Sequence, residues 1–144
     1  MALTVKVITL WRREIQNRPG ELAGVLHPLA ETRADVQVLM AYRFPGDESR
    51  GAVELYPVTG KKAAEAAANA GLAPANDIPA ILVQGPNRAG IGFATSRAIA
   101  DAGINLAFLV AQVVGTKFSA VYGFDSVTDR DRAVKLLKKA TARR

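Results

Sequence analysis

The feature that most limits what this chain can fold into is an internal repeat. Asn17-Arg18-Pro19-Gly20 recurs as Asn87-Arg88-Ala89-Gly90, at an offset of 70 residues, and the same offset sets Asp35 against Asn105. The hydrophobic pattern around each copy runs in the same order. Leu3 to Trp11 is β-rich, and Glu21 to Thr32 has helical spacing with Leu22, Val25, Leu26 and Leu29 on one face. Val36, Val38, Met40 and Tyr42 alternate as in a strand, residues 44–50 form a polar turn, and Val53, Leu55 and Pro57 read as the returning strand. An Ala-rich helix follows over 61–70. In the second copy a strand over 78–85 leads through a turn into a helix over 90–102. Ile104, Leu106, Phe108 and Val110 then alternate, a tight turn forms at Gly115-Thr116, and Phe118, Ala120, Tyr122 and Phe124 alternate in turn. Thr128 is the expected N-cap of a last helix ending near Thr141.

Each copy therefore predicts β-α-β-β-α, and the chain reads as an α+β, ferredoxin-like tandem of two such units with antiparallel sheets and helices on one face. Repeat 1 spans 1–77 and repeat 2 spans 78–144. A full unit would end in a fourth strand. Residues 71–77 read as a linker, and only two arginines follow Ala142, so that strand is absent or degenerate in both copies. The two halves are expected to complete each other, the first strand of one lying where the other lacks its last. Pro28, four residues after Gly24, is expected to bend the first helix.

Composition removes whole classes of function. Without Cys there is no disulfide, thiolate metal site or cysteine nucleophile, and with His27 as the single histidine there is no multi-histidine centre. Ser49, Ser96, Ser119 and Ser126 have no histidine within the same motif, so the sequence predicts a protein that is not an enzyme and needs no cofactor. Gly90-Ile91-Gly92 opens a helix after a strand, but Thr95 stands where a dinucleotide loop needs its third glycine. No apolar run is long enough for a bilayer, and Met1 to Leu10 carries Lys6 and lacks the parts of a signal peptide. A soluble cytoplasmic protein with no membrane partner is expected.

The net charge of +6 arises entirely after residue 77, with seven bases between Asp129 and Arg144. That basic half, together with Phe118, Tyr122 and Phe124 on one strand face, suggests an alternative: an RNA-binding ferredoxin-like protein whose rings stack on bases. The aromatics such a protein needs on its first strand are missing from residues 80–84, so the rings are predicted to fill the core and the cations to form a solvated helix face.

Asn17-Arg18-Pro19-Gly20-Glu21-Leu22-Ala23, together with Asp101-Ala102-Gly103-Ile104-Asn105-Leu106, resembles the ACT domain, a small-molecule regulatory module of amino-acid metabolism. The first loop is similar to the sensing loop in the regulatory domain of phosphoglycerate dehydrogenase. The resemblance implies two units side by side in one eight-stranded sheet, with amino acids bound between the loop of one and the second strand of its neighbour. On this chain it implies one site from Asn17, Pro19 and Gly20 with Asn105, and another from Asn87, Gly90 and Gly92 with Asp35. It also implies an amino-acid sensor or regulatory subunit with no attached catalytic domain, acting on a partner enzyme of amino-acid metabolism. An unpaired edge strand adds the expectation of a homodimer. Simple chemistry agrees with such a site. A helix N-terminus favours a carboxylate, glycine lets a ligand approach the backbone, and asparagine offers both donor and acceptor. Ala89 replaces the motif's proline, and Ile15 and Gly85 stand where serine-sensing relatives have histidine, so the expected ligand is an amino acid or similar small metabolite.

Overall fold

The computed structural model describes residues 3–142, excepting the side chains of 141 and 142. Met1 at the proposed non-signal N-terminus, and Arg143 and Arg144 of the basic tail, lie outside them. The elements are β1 (Thr4–Ile8), β2 (Trp11–Gln16), α1 (Glu21–Glu31), β3 (Val38–Phe44), β4 (Asp47–Tyr56), α2 (Lys61–Asn69), β5 (Ala73–Pro74), β6 (Ala80–Pro86), α3 (Ile91–Asp101), β7 (Leu106–Val114), β8 (Lys117–Phe124) and α4 (Val127–Ala142). They form two compact units. One is contiguous, Thr9–Asn76; the other is composite, Met1–Ile8 with Asp77–Arg144. Both are α+β with a four-stranded antiparallel sheet, ordered β3-β4-β2-β5 in the contiguous unit and β1-β6-β8-β7 in the composite one. The ferredoxin-like tandem fold is as the sequence predicts, except that the strands form two four-stranded sheets in place of the expected single sheet of eight.

The strand expected over Leu3 to Trp11 is in fact two strands. β1 ends at Ile8 and pairs with β6 as an edge strand of the composite sheet, so the N-terminal strand serves the second repeat. β2 leads into the first loop. Its sequence, Trp-Arg-Arg-Glu-Ile-Gln, looks like a loop because half of it is charged. Each charge has a partner that composition does not reveal: Arg12 Nε reaches Glu54 Oε1 at 3.1 Å, Arg13 Nη1 donates to the Ala70 carbonyl at 3.0 Å, and Glu14 pairs with Arg50. Residues 71–77 also hold a short strand, since β5 pairs Ala73 and Pro74 with Arg12 and Trp11.

In each unit the helices cover one sheet face. Val25 and Leu29 of α1 and Ala66 and Ala67 of α2 pack on Val53 and Leu55 of β4. Alanines on α2 let that helix lie close to the sheet, where a larger side chain would hold it off. In the composite unit Ile91 and Ile99 of α3 and Ala133 and Leu137 of α4 pack on Val5, Ile81, Val83, Phe118, Tyr122 and Phe124. α1 runs unbroken through Pro28. α4 starts two residues earlier than expected, because the Ser126 hydroxyl, and not Thr128, caps it by accepting the Asp129 N–H at 3.1 Å. Among the described residues no helix is long and apolar enough to cross a membrane.

Candidate functional site

The two loops singled out by the repeat occupy matching places. Asn17 to Gly20 joins β2 to α1, and Asn87 to Gly90 joins β6 to α3. Each ends on a left-handed glycine at the helix N-cap, Gly20 with φ 89° and Gly90 with φ 83°. Side-chain-bearing residues rarely adopt that conformation, which is why glycine stands at both positions. Neither helix has a side-chain cap. The Glu21 N–H donates to Arg18 O at 3.4 Å and the Ile91 N–H to Arg88 O at 3.2 Å, which leaves the N–H groups of Leu22, Ala23, Gly92 and Phe93 to a ligand or to solvent. Pro19 is exposed within the first loop, and Gly92 lies in the first turn of α3.

The two asparagines differ. Asn17 donates its backbone N–H to Ser49 O at 2.9 Å and its Nδ2 to Glu48 O at 2.8 Å, tying the loop to the start of β4. That leaves its Oδ1 as an acceptor. Asn87 donates only its backbone N–H, to Thr116 O at 2.8 Å, and its side chain bonds to nothing among the described residues. Both line surface depressions. Asn17 and Gly20 border one of about 350 Å³ with Ile15, Leu22, Tyr42 and Arg43. Asn87 borders one of about 740 Å³ with Thr4, Gln84, Lys117 and Ser119. Volumes of this order suit small metabolites. Arg43 and Lys117 put a cation on each rim, although neither stands out in the sequence.

The second-strand positions lie elsewhere within each unit. Asp35 follows α1 and Asn105 follows α3, each at the opposite end of its helix from the loop. Eleven helical residues span roughly 16 Å, so no loop meets the second-strand position of its own unit. Asp35 is exposed, and Asn105 Nδ2 makes a long 3.5 Å contact with Asp125.

Phe118, Tyr122 and Phe124 are 4%, 0% and 0% exposed and belong to the core beneath α3 and α4. Rings sealed there cannot stack on bases, and the RNA alternative loses its recognition face. Among the described residues no group of His, Asp or Glu is placed to hold a metal ion.

Two polar clusters escaped sequence reasoning. On the sheet face of the contiguous unit that points away from the helices, Glu54 is 2% exposed. Its carboxylate accepts from Arg12 Nε at 3.1 Å and from the Tyr42 hydroxyl at 2.7 Å. A lone acid inside Ala-Val-Glu-Leu-Tyr was the available signal. In the composite core, Thr95 and Tyr122 share a buried hydrogen bond.

No protein-family pattern and no curated protein matches the sequence. Solved structures do match its fold. A protein of Bacteroides thetaiotaomicron superposes with a TM-score of 0.77 at 16% identity, over 94% of this chain and 90% of that one. The ligand-free regulatory subunit of aspartate kinase from Thermus thermophilus gives 0.60 at 17% identity, over 95% and 97%. Aspartate kinase from Synechocystis gives 0.60 at 18% identity, over 98% of this chain and 27% of that one. The chain thus has the tandem ACT-type fold that its loop motifs suggested, and it shares that fold with regulatory parts of an amino-acid kinase.

Proposed function

We propose that this protein is a regulatory sensor that binds an amino acid or similar small metabolite at its two loops and thereby alters the activity of a partner enzyme of amino-acid metabolism. One observation carries the reading. The same glycine-ended helix N-terminus without a side-chain cap occurs at the same place in both units, and the asparagine that opens each loop borders a depression of metabolite size. The fold likeness to regulatory subunits of aspartate kinase supports a regulatory role over a catalytic one. The ligand contacts are assigned to Asn17, Pro19, Gly20, Asn87, Gly90 and Gly92, with Asp35 and Asn105 as the second-strand contribution of repeats 1–77 and 78–144. The helix N-termini would take the ligand carboxylate and the asparagine oxygens its ammonium group. Ligand that favours one conformation shifts the population toward it, and the partner reads the shift.

Homodimerisation is part of the proposal. β7 is the terminal strand of its sheet and exposes Leu109, Val110, Val113 and Val114. It carries no charge that would discourage edge pairing. A cytoplasmic location is the setting that such a regulator would require.

The test is a thermal-shift series with each of the twenty amino acids. A ligand at about a hundredfold excess over its Kd stabilises the fold by roughly 2.7 kcal/mol. One or a few amino acids should raise the melting temperature, and Asn87→Ala should weaken that response. Silence from all twenty refutes the amino-acid reading.

A further inference from the structure

Two hydroxyls lie inside the otherwise apolar core of the composite unit. Tyr122 of β8 is fully buried and Thr95 of α3 is 5% exposed, and their oxygens are 2.5 Å apart. Thr95 Oγ1 also lies 3.0 Å from the Ile91 carbonyl and 3.2 Å from the Gly92 carbonyl. A threonine hydroxyl has one proton to give, and carbonyls can only accept. Thr95 therefore donates to the first turn of α3, and Tyr122 donates to Thr95. Burial raises the Tyr122 phenol above its ordinary value, and the nearby hydroxyls of Thr95 and Ser96, which could turn to donate to a phenolate, only partly oppose that rise, so the phenol keeps its proton. A two-step relay thus runs from the central strand β8 to the carbonyls directly behind Gly90.

The fold does not require this pair. In the contiguous unit Val25 stands five residues after Gly20, as Thr95 stands five after Gly90. Leu55 lies opposite Trp11 as Tyr122 lies opposite Ile81, and each of those partners is six residues before its loop asparagine. Val25 and Leu55 are buried and apolar. Hydroxyls in such places cost desolvation and are tolerated when bonded to one another. What they add here is a fixed attachment for the turn that presents the second loop.

We propose that Tyr122 and Thr95 are positioning residues that pre-organise the loop at 87–92 for ligand, making it the tighter of two unequal sites. This rests on the reading of that loop as a ligand site. A rigid turn has less freedom to lose on binding; the first loop is tied to β4 at Asn17, but the helix turn that follows it has only the aliphatic Val25 and Leu55 behind it and no such hydroxyl anchor.

The experiment uses the full chain with Tyr122→Phe, Thr95→Val and Thr95→Ser. Amide hydrogen exchange is followed along α3, and binding is titrated with whichever of the twenty amino acids stabilises the wild type. Loss of one hydrogen bond should speed exchange at residues 92–94 by about tenfold while residues 99–101 stay within about twofold. Affinity should fall by about tenfold in Tyr122→Phe and Thr95→Val. Thr95→Ser, which keeps the hydroxyl, should restore both. If Tyr122→Phe does not fold, Thr95→Val against Thr95→Ser makes the same comparison. Uniform acceleration along α3, no acceleration, or unchanged affinity with a loosened turn would each overturn the proposal. If no amino acid stabilises the wild type, the sensor reading fails, and the exchange pattern alone still decides whether the relay anchors the turn.

Discussion

The contiguous and composite units have the same loop-helix frame but place their polar groups on opposite sides of the sheet. At one cross-strand position the contiguous unit sets Arg12 against Glu54, and the composite unit sets Leu82 against Val121. One residue earlier on β2 and β6, the contiguous unit sets Trp11 against Leu55, and the composite unit sets Ile81 against Tyr122. One sheet therefore carries its buried charge on the face away from its helices and keeps an aliphatic core. The other is apolar on that face and holds a hydroxyl relay under α3. An antiparallel frame accepts either arrangement, provided each buried polar atom is paired. What distinguishes the units chemically is thus the side chains behind the loops, while the loops themselves repeat.

The sharpest way to break the comparison is to remove residues 1–8, the strand that the composite unit takes from the N-terminus. Val5 and Ile8 are buried, and losing both side chains removes about 4 kcal/mol before any loss of strand pairing. In urea, the fluorescence of Trp11, the single tryptophan, should still report a cooperative transition from the contiguous unit. Far-UV circular dichroism should show the composite transition lost.

Next in size is the buried ion pair. Glu54→Ala removes the carboxylate that accepts from Arg12 Nε and the Tyr42 hydroxyl and should cost about 3 kcal/mol by Trp11-monitored denaturation. The double variant Arg12→Leu with Glu54→Val copies the Leu82–Val121 pair and should recover most of that loss. A further drop in the double variant would mean that the two sheets are not interchangeable at this position.

The relay comes third. Tyr122→Phe should destabilise the composite unit by about 1–2 kcal/mol, and adding Thr95→Val should cost little more, because both partners are then apolar. A smaller effect is expected where the helices end. Arg33 is left-handed with φ 59° at the end of α1, where Gly103 with φ 73° ends α3. Arg33→Gly should stabilise by about 1 kcal/mol, and Gly103→Ala should cost about as much, both read from melting temperatures.

The smallest effect is alkaline. The folded-state value of Tyr122 is raised above its ordinary 10.0, so its contribution to stability is fully present below that pH and is lost as pH rises through the folded value. Denaturation of wild type above pH 10 should therefore show a steeper loss of composite-unit stability than Tyr122→Phe.

Much of this was legible in the sequence, for identifiable reasons. The two loops, α1 and α3 and the alternation along β7 and β8 rest on local spacing, which the residues carry themselves. β2 was missed because three of its six residues are charged, and their partners lie on β4, at the end of α2 and at Arg50, all distant in sequence. The pairing of β1 with β6 was foreshadowed by the missing fourth strand, although the break at Thr9 and Leu10 inside one apolar run was not visible. Of the candidate site, the two loop glycines followed from the motif, while their left-handed conformation is a property of the fold. The commitment of Asn17 to Glu48, and the relay behind Gly90, depend on contacts that no short pattern encodes.

The most direct test of the central claim is a ¹⁵N-amide NMR titration with each of the twenty amino acids. The account predicts that at least one of them shifts the amides of Gly20 to Ala23 and of Gly90 to Phe93, with the second set saturating first. No shift with any amino acid, or shifts confined to residues away from both loops, would contradict it.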